Sequence, residues 1–498
     1  MKFLGLRLDE HDSNITYTDG FNVKYFKPER HNQIKHFGYN NLYDWVFSSF
    51  HLNFKLEDLD AVAIVLDTHL HPFIKRDKSK LYQTVDINLK PFTNLKCPVF
   101  VIDHHLAHVL SCWMLAENST TDFVLDGFGD YFRSVSVFKK EKPIKNFTTK
   151  EVVSFGSWLG DIGKDLKIEG HPDDLAGKLM ALKSFGQIDK DVYKLIHNIN
   201  YEDSRTIFFL DHFLDKYQNN GVLSLNLINV LRTVHEYVEN KLPDFFRKYA
   251  NSNETITYSG GVAHNVCVNT QLRKNFPNIV IPPHCADEGL SLGCVEFLRK
   301  YFEQPKFSKD NFPFWQSDVA PLNKPNKDLI KKTAEDLAQG KIIGWYQGHG
   351  EIGPRALGNR SILMSPEVKN GKDILNKKVK HREVFRPFAA SILEEDTKDY
   401  FDWKGKSEFM KFSVKFRDKI FKPISHIDNT SRIQTVNQNK TMFYSLIKEF
   451  KKLTGIPMLL NTSLNDNGKP IAGKPEDALN LLNNSELDKL IIGDTVYK

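Results

Sequence analysis

Short apolar runs separated by polar turns open the chain, and their alternation predicts strands at residues 2–8, 15–18 and 21–26. A polar turn at 9–14 and a tight Asp19-Gly20 turn join them into a β-meander. The plan returns at Asp122, with a strand at 123–125, the loop Asp126-Gly127-Phe128-Gly129-Asp130, and a strand at 134–138 leading into a further extended segment. Two acidic hairpins of this kind predict an internally duplicated nucleotide-binding fold, each half presenting its hairpin to a phosphate or a metal. Between these runs, Leu227, Val230, Leu231, Val234 and Val238 recur at helical spacing and predict a helix over 227–242. A strand at 255–258 runs into Ser259-Gly260-Gly261-Val262-Ala263. Residues 303–327, rich in Pro, Asp, Lys and Asn, have few side chains suited to a core and read as the domain boundary. Beyond it the pattern predicts a helix at 326–339, a strand at 342–346, a helix at 475–482 and a strand at 490–492. The expected domains are 1–315 and 325–498.

With 498 residues the chain exceeds one ordinary core, which agrees with two domains. A hydrophobic share of 41% with 26% charged residues suits a soluble globular enzyme, and no apolar run is long enough to span a bilayer. The first seven residues reach charge too soon for a signal peptide, so the expected location is the cytoplasm, with no membrane partner. Five cysteines without a CxxC pair exclude a disulfide framework and a zinc ribbon. A net charge of +6 permits a phosphate-bearing or nucleic-acid partner without requiring one.

The densest candidate chemistry is Asp103-His104-His105-Leu106-Ala107-His108, directly after the apolar stretch 97–102. Asp103 suits an N-cap, and His104 and His108 then share one helix face. They are either core histidines or a chelating pair. Asp287, in a loop before a small-residue helix, would complete a two-histidine, one-carboxylate site suited to Fe(II), Zn or Mn. Gly127 and Gly129 either shape a tight turn or let backbone amides approach phosphate oxygens, with Asp126 binding metal or polarising a hydroxyl. Gly260 and Gly261, followed by Asn265 and Asn269, either serve packing or admit a nucleotide at a helix N-terminus. In Gly353-Pro354-Arg355-Ala356-Leu357-Gly358-Asn359-Arg360-Ser361, Arg355 and Arg360 suit capture of phosphate or carboxylate oxygens. Lys380 and Arg382, with Ser463 and Asn465, supply positive charge and neutral donors; Arg432 and Gln434 add a polar strand. The mixed basic and aromatic stretches 71–82 and 403–422 are either solvated edges or surfaces able to hold a backbone and stack a base.

Taken in order, these motifs resemble the ATP-dependent O-carbamoyltransferases that decorate nodulation factors and antibiotics such as cephamycin and tobramycin. The resemblance runs over nearly the whole chain, through His11-Asp12, Glu29-Arg30, Lys35-His36, the HHLAH run, DGFGD, Gly177-Lys178-Leu179-Met180, GGVAHN, the Asp287 loop, GPRALGNRS, KHREVFRPFA and NTSLN. It implies an α/β fold: an N-terminal duplicated domain of the actin-like ATPase type, akin to the tRNA threonylcarbamoyl transferase, and a C-terminal α/β domain like threonylcarbamoyl-adenylate synthase. It further implies that the C-terminal domain makes carbamoyl adenylate from carbamoyl phosphate and ATP, the latter with Mg(II). The N-terminal domain then moves the carbamoyl group onto an acceptor hydroxyl at a metal, usually iron. Carried over by motif, His104, His108 and Asp287 become metal ligands, His104, Asp126, Lys380 and Arg382 catalytic groups, and Ser463 and Asn465 part of the adenylate-forming set. Gly127, Gly129, Lys178, Gly260, Gly261, Asn265, Arg355, Arg360 and Arg432 become nucleotide or phosphate contacts.

Three positions depart from the pattern: His349-Gly350-Glu351 stands for Arg-Met-Glu, His264 for a leucine, and Asn429 for a glycine. None removes a principal cationic or metal-binding position. The expected partners are the small-molecule donor and either a small hydroxylated acceptor or hydroxymethylated DNA, with a homo-oligomer compatible with the sequence. A tRNA threonylcarbamoyladenosine-type ligase and a non-catalytic nucleotide-binding regulator are the rival readings.

Overall fold

A computed structural model describes residues 1–39, 44–66, 74, 76–85, 95–152, 154–165, 168–203, 225–317, 322–439 and 441–498. It divides into two compact units, one of residues 1–27 and 36–309, the other of residues 28–35 and 310–498. The chain therefore crosses between units at 309/310, inside the Pro- and Asp-rich stretch, and lends the second unit a short N-terminal segment that no composition shift announces. That stretch nonetheless buries Phe307 and Trp315.

The first unit holds two mixed sheets. One contains β1 (Phe3–Leu8), β2 (Asn14–Thr18), β3 (Val23–Phe26), β4 (Ala61–Leu66), β5 (Tyr82–Thr84) and β6 (Val99–Ile102), in the order β3-β2-β1-β4-β6-β5. The other contains β7 (Thr121–Leu125), β8 (Arg133–Lys139), β9 (Lys142–Thr148), β10 (Ile256–Ser259) and β11 (Ile279–Val280), in the order β11-β10-β7-β8-β9. In both, three antiparallel strands form a meander whose first member then pairs in parallel with a later strand. That later strand pairs in parallel with another, so the two sheets repeat one topology. β1 and β4 are buried at every position, as expected of central strands covered on both faces.

The helix His104–Ala116 follows β6, and the helix Leu290–Tyr301 lies against it. Their approach is close enough that a Cβ on Gly293 would stand 2.0 Å from the Ala107 carbonyl oxygen. The predicted helix at 227–242 extends over Leu225–Arg247 and carries Pro243 inside it. Phe246, beyond the proline, stacks on Phe123 with ring centroids 3.7 Å apart, so burial outweighs the break a proline favours.

The second unit is built on one mixed sheet of β12 (Ile343–Tyr346), β13 (Arg360–Met364), β14 (Ala389–Leu393), β15 (Phe412–Lys415), β16 (Thr430–Val436), β17 (Met458–Ser463), β18 (Lys489–Ile492) and β19 (Thr495–Tyr497). Its order is β15-β16-β14-β17-β13-β12-β18-β19. Among the described residues no helix is long and apolar enough to cross a membrane.

Candidate functional site

In the first unit, Asp103 caps its helix by accepting the Leu106 N–H at 3.0 Å, which aims the first helical turn at the end of β7. There, Nε2 of His104 and Nε2 of His108 lie 3.2 Å apart, and Asp126 Oδ2 lies 3.0 and 3.2 Å from them. Oδ1 of Asp287 is 3.4 Å from both imidazole nitrogens. Four buried donors thus converge. Donors held about 2.0–2.2 Å from one cation stand roughly 3 Å or a little more from each other, so the N2O2 set fits a divalent metal.

Each carboxylate is held by its other oxygen. Asp126 Oδ1 accepts the N–H groups of Gly127 and Gly261 at 2.9 and 2.8 Å, and Asp287 Oδ2 accepts from Arg7 at 2.9 Å. Burial pulls the His104 imidazole down, but Asp287 and Asp126 outweigh it and raise it to about 10. His108 moves up for the same reason, its burial opposed by both aspartates. Burial and the neighbouring Asp287 push the Asp126 carboxyl up, and the two histidines more than reverse this. Burial likewise pushes Asp287 up, while His104 and Arg7 hold it well below the usual carboxylate range. His105, between His104 and His108 in sequence, is a core histidine: its Nδ1 meets the Ser136 hydroxyl at 2.6 Å, and burial pushes its imidazole well below the usual histidine range.

The glycines expected at phosphate have other occupations here. The amide of Gly127 goes to Asp126, that of Gly129 to the Arg133 carbonyl at 2.8 Å, and that of Gly260 to the Cys285 carbonyl at 2.7 Å. A Cβ on Gly129 would stand 2.9 Å from the His104 ring, so the loop's smallness makes room for the imidazole. Gly260 sits at φ 91° with the Leu125 carbonyl oxygen 2.1 Å from any Cβ, which requires glycine for backbone reasons. Asn265 caps the helix Val266–Asn275 and donates to His235 Nε2 at 2.9 Å. Lys178, buried on the helix Pro172–Leu182, donates to the Glu169 carbonyl.

In the second unit, Lys380 follows the helix Gly371–Lys378 and reaches the end of β17. Its Nζ donates to the Ser463 carbonyl at 2.9 Å and to the side-chain and backbone oxygens of Asn465 at 2.5 Å each. Burial, then Arg382 and Arg386, hold this amine well below the usual lysine range, and Lys35 adds to the effect. Burial, Arg386 and Arg355 likewise press Arg382 down to about 9, against Glu383. Five cations crowd here against Glu383, 3.5 Å from Arg386, and Asp466; the excess of positive charge is the electrostatic form of an anion site. Arg355 belongs to that field, whereas Arg360 does not share its orientation. Arg360 lies over the Tyr346 ring at 3.5 Å and donates to the carbonyls of Gln347 and Gly348 at 2.6 and 2.8 Å, so its role is to tie the loop to β12. Arg432 stands in β16, in register with Ala389 and Ser413.

Sequence reasoning missed the groups that organise these sites. Arg7 is one, and its signal was a lone charge within the apolar run FLGLRL. Glu351 is another: its Oε1 accepts the N–H groups of Leu357, Asn359 and Arg360 at 2.8, 2.8 and 3.1 Å. The network of Asn265, His235, Glu239 and Lys183 had no local signal. In the stretch 403–422, Trp403 and Phe412 are buried and pack together at 4.7 Å, and Phe416 and Phe421 are buried too. These four rings belong to the core. The stretch 71–82 lies partly outside the described residues, while its Arg76 pairs with Asp130 at 2.6 Å.

Residues 75–295 match the family model described as the carbamoyltransferase N-terminus, and residues 334–498 match the carbamoyltransferase C-terminus. The nodulation protein NolNO of Sinorhizobium fredii is 29% identical over 449 residues, covering 80% of this chain and 63% of that protein. Nodulation protein NolO of Bradyrhizobium diazoefficiens is 36% identical over 261 residues, 47% of each chain. The chain therefore spans less than two thirds of the length of these two relatives. The 3'-hydroxymethylcephem-O-carbamoyltransferase of Amycolatopsis lactamdurans is 27% identical over 337 residues, 65% of each. Among solved structures, HypF of T. kodakarensis aligns at 15% identity over 62% of this chain and 49% of its own, with a TM-score of 0.39, too low to carry an argument.

Proposed function

The chain belongs to the carbamoyltransferase family, and from that premise we propose that it transfers a carbamoyl group from carbamoyl phosphate to an acceptor hydroxyl in an ATP-dependent reaction. The observation that carries the reading is the ordered match of both halves of the family, each with its own cluster of chemistry-bearing side chains.

The second unit is assigned donor activation. Carbamoyl phosphate first gives up inorganic phosphate to water and leaves carbamate, whose oxygen then attacks the α-phosphorus of ATP, displaces pyrophosphate and produces the carbamoyl–AMP mixed anhydride; each species is anionic. Lys380, Arg382, Arg386 and Arg355 suit that charge, and Ser463 and Asn465 orient the Lys380 ammonium from the neutral side. The cations are held against one another before any ligand arrives, so an incoming anion relieves their repulsion. The domain types implied by the sequence, actin-like for the first unit and adenylate-synthase-like for the second, are part of this proposal.

The first unit is assigned transfer. His104, His108, Asp126 and Asp287 would hold a divalent cation, with Fe(II), Mn(II) and Zn(II) all suited to the N2O2 set. When bound, such an ion supplies a Lewis acid for a carbonyl or phosphoryl oxygen. Asp126, expected either to bind metal or to polarise a hydroxyl, has both oxygens committed to histidines and amides, which favours the role of fourth ligand. The acceptor is proposed to carry a hydroxymethyl group, as the cephem of the named relative does.

The test is incubation with ATP and carbamoyl phosphate, following AMP and pyrophosphate, then mass spectrometry for a carbamoyl mass gain over sugars, hydroxymethyl compounds and hydroxymethylated DNA. Pyrophosphate release that depends on carbamoyl phosphate supports the reading. Release that instead requires threonine and bicarbonate favours the tRNA-ligase reading, and nucleotide binding without turnover favours a regulator.

A further inference from the structure

We propose that His264, Cys285 and Glu288 form a second divalent-metal site in the first unit, thiolate-bearing and separate from the four-donor cluster. His264 ends the short turn Gly261–His264 after β10, while Cys285 and Glu288 come from the loop that leads into the helix Leu290–Tyr301. The Gly260 N–H on the Cys285 carbonyl at 2.7 Å pins the two segments together. The Tyr25 hydroxyl donates to the Glu288 carbonyl at 2.8 Å and holds the loop from the other side.

Nε2 of His264 lies 3.3 Å from Glu288 Oε1 and 4.0 Å from Cys285 Sγ, and each residue has one ligand atom within 4.8 Å of the others. Donors bound to one tetrahedral ion at about 2.0–2.3 Å stand roughly 3.3–3.8 Å apart, so the His264–Glu288 pair is already at that spacing and the Cys285 sulfur closes the set by moving inward. Cys285 and Glu288 are buried, whereas the His264 side chain is 26% exposed. The histidine is thus the side of the cluster nearest solvent. A thiolate and a carboxylate neutralise a divalent cation, which offsets the cost of burying both groups. Thiolate, imidazole and carboxylate together select a borderline-soft ion of the Zn(II) class.

Asp287 and Glu288 are consecutive on one tight turn, yet Asp287 faces His104 and His108 while Glu288 faces His264. An ion in the second site would fasten the turn that supplies the Gly261 amide to Asp126 onto the loop that supplies Asp287. His264, which replaces a leucine of the family pattern, makes the site a property of this chain.

Full-length protein stripped of metal and titrated with Co(II) tests the proposal, because only a cysteine ligand produces the near-ultraviolet sulfur-to-cobalt charge-transfer band. The expected result is a band that saturates at one equivalent and disappears in both Cys285→Ser and His264→Leu, each variant losing one equivalent of bound cobalt. Circular dichroism reports folding, and if Cys285→Ser does not fold, His264→Leu at its partly exposed position decides. No band in the parent protein, or a band that persists in either folded variant, overturns the proposal. A single equivalent that shows the band supports this site and counts against metal at His104 and His108; a single equivalent without it does the reverse.

Discussion

At the residue scale, Arg360 and Arg382 sit in different surroundings, one among backbone carbonyls and the other among like charges. Arg360 donates to backbone carbonyls of its own loop, and leaving buried carbonyls without donors costs about 1–3 kcal/mol each, so Arg360→Ala should lower unfolding free energy by about 3 kcal/mol in a denaturant titration. Arg382→Ala removes a repelled cation instead. The lost bond to Asn376 at 2.8 Å and the lost contact with the Phe388 ring oppose the relieved repulsion, so stability should fall by less than in Arg360→Ala, while carbamoyl-phosphate-dependent pyrophosphate release drops at least about tenfold. Lys380 carries a pH signature. Its folded pKa lies below its unfolded one, so the unfolded chain binds more protons between the two values, and stability rises with pH through that window. A bound anion favours the protonated form and raises that pKa. Binding of ATP or pyrophosphate should therefore take up protons on the alkaline side, measurable by calorimetry in buffers of different ionisation enthalpy and abolished by Lys380→Met.

At the element scale, two helices decide whether the four donors meet. The helix His104–Ala116 carries the histidine pair, and the helix Leu290–Tyr301 follows directly on the Asp287 turn. Gly293 lets their backbones touch at Ala107, and Gly5 on β1 gives the same freedom beside Ser291, whose carbonyl oxygen would stand 2.1 Å from a Cβ. Gly293→Ala forces the helices apart. Overpacking of this kind costs about 1–3 kcal/mol. The expected outcome is a lower melting temperature together with loss of metal affinity, although no ligand has been altered; unchanged affinity would mean the Asp287 turn is held independently of that contact.

At the scale of the whole molecule, the proposed function gives the two units two different chemistries. Each of the first unit's sheets begins with a meander and continues in parallel, and the acidic loop of the second repeat contributes Asp126 to the four-donor cluster. Removing metal with a chelator, or substituting His104→Ala, should uncouple the reaction: the carbamoylated product disappears while AMP formation continues. Even partners outside a metal's ligand shell change affinity by about 10–100-fold, so loss of a ligand should exceed about 100-fold. Equal loss of both activities would show that the two chemistries are not independent.

Most elements were legible from periodicity because burial imposes it: β1, β7, β10 and the helix that begins at His104 follow the apolar runs closely. The spacing of His104 and His108 likewise placed both on one helix face before any coordinates, since a helical turn is a local property. Among groups far apart in sequence, Asp287 was anticipated beside the histidine pair, but the other pairings were not legible. Asp126 as a companion of both histidines, Arg7 behind Asp287, and Glu351 gathering three amides are pairings set by sheet order and helix packing. The glycine motifs show the limit from the other side. Their sequence permits close approach of a phosphate or of protein backbone, and tertiary packing gave that space to Leu125, His104 and Asp126. The sequence alone determined the local periodicities, the caps and the inventory of reactive groups; the tertiary structure decided which met, because long-range contacts depend on how strands and helices stack and not on their order along the chain.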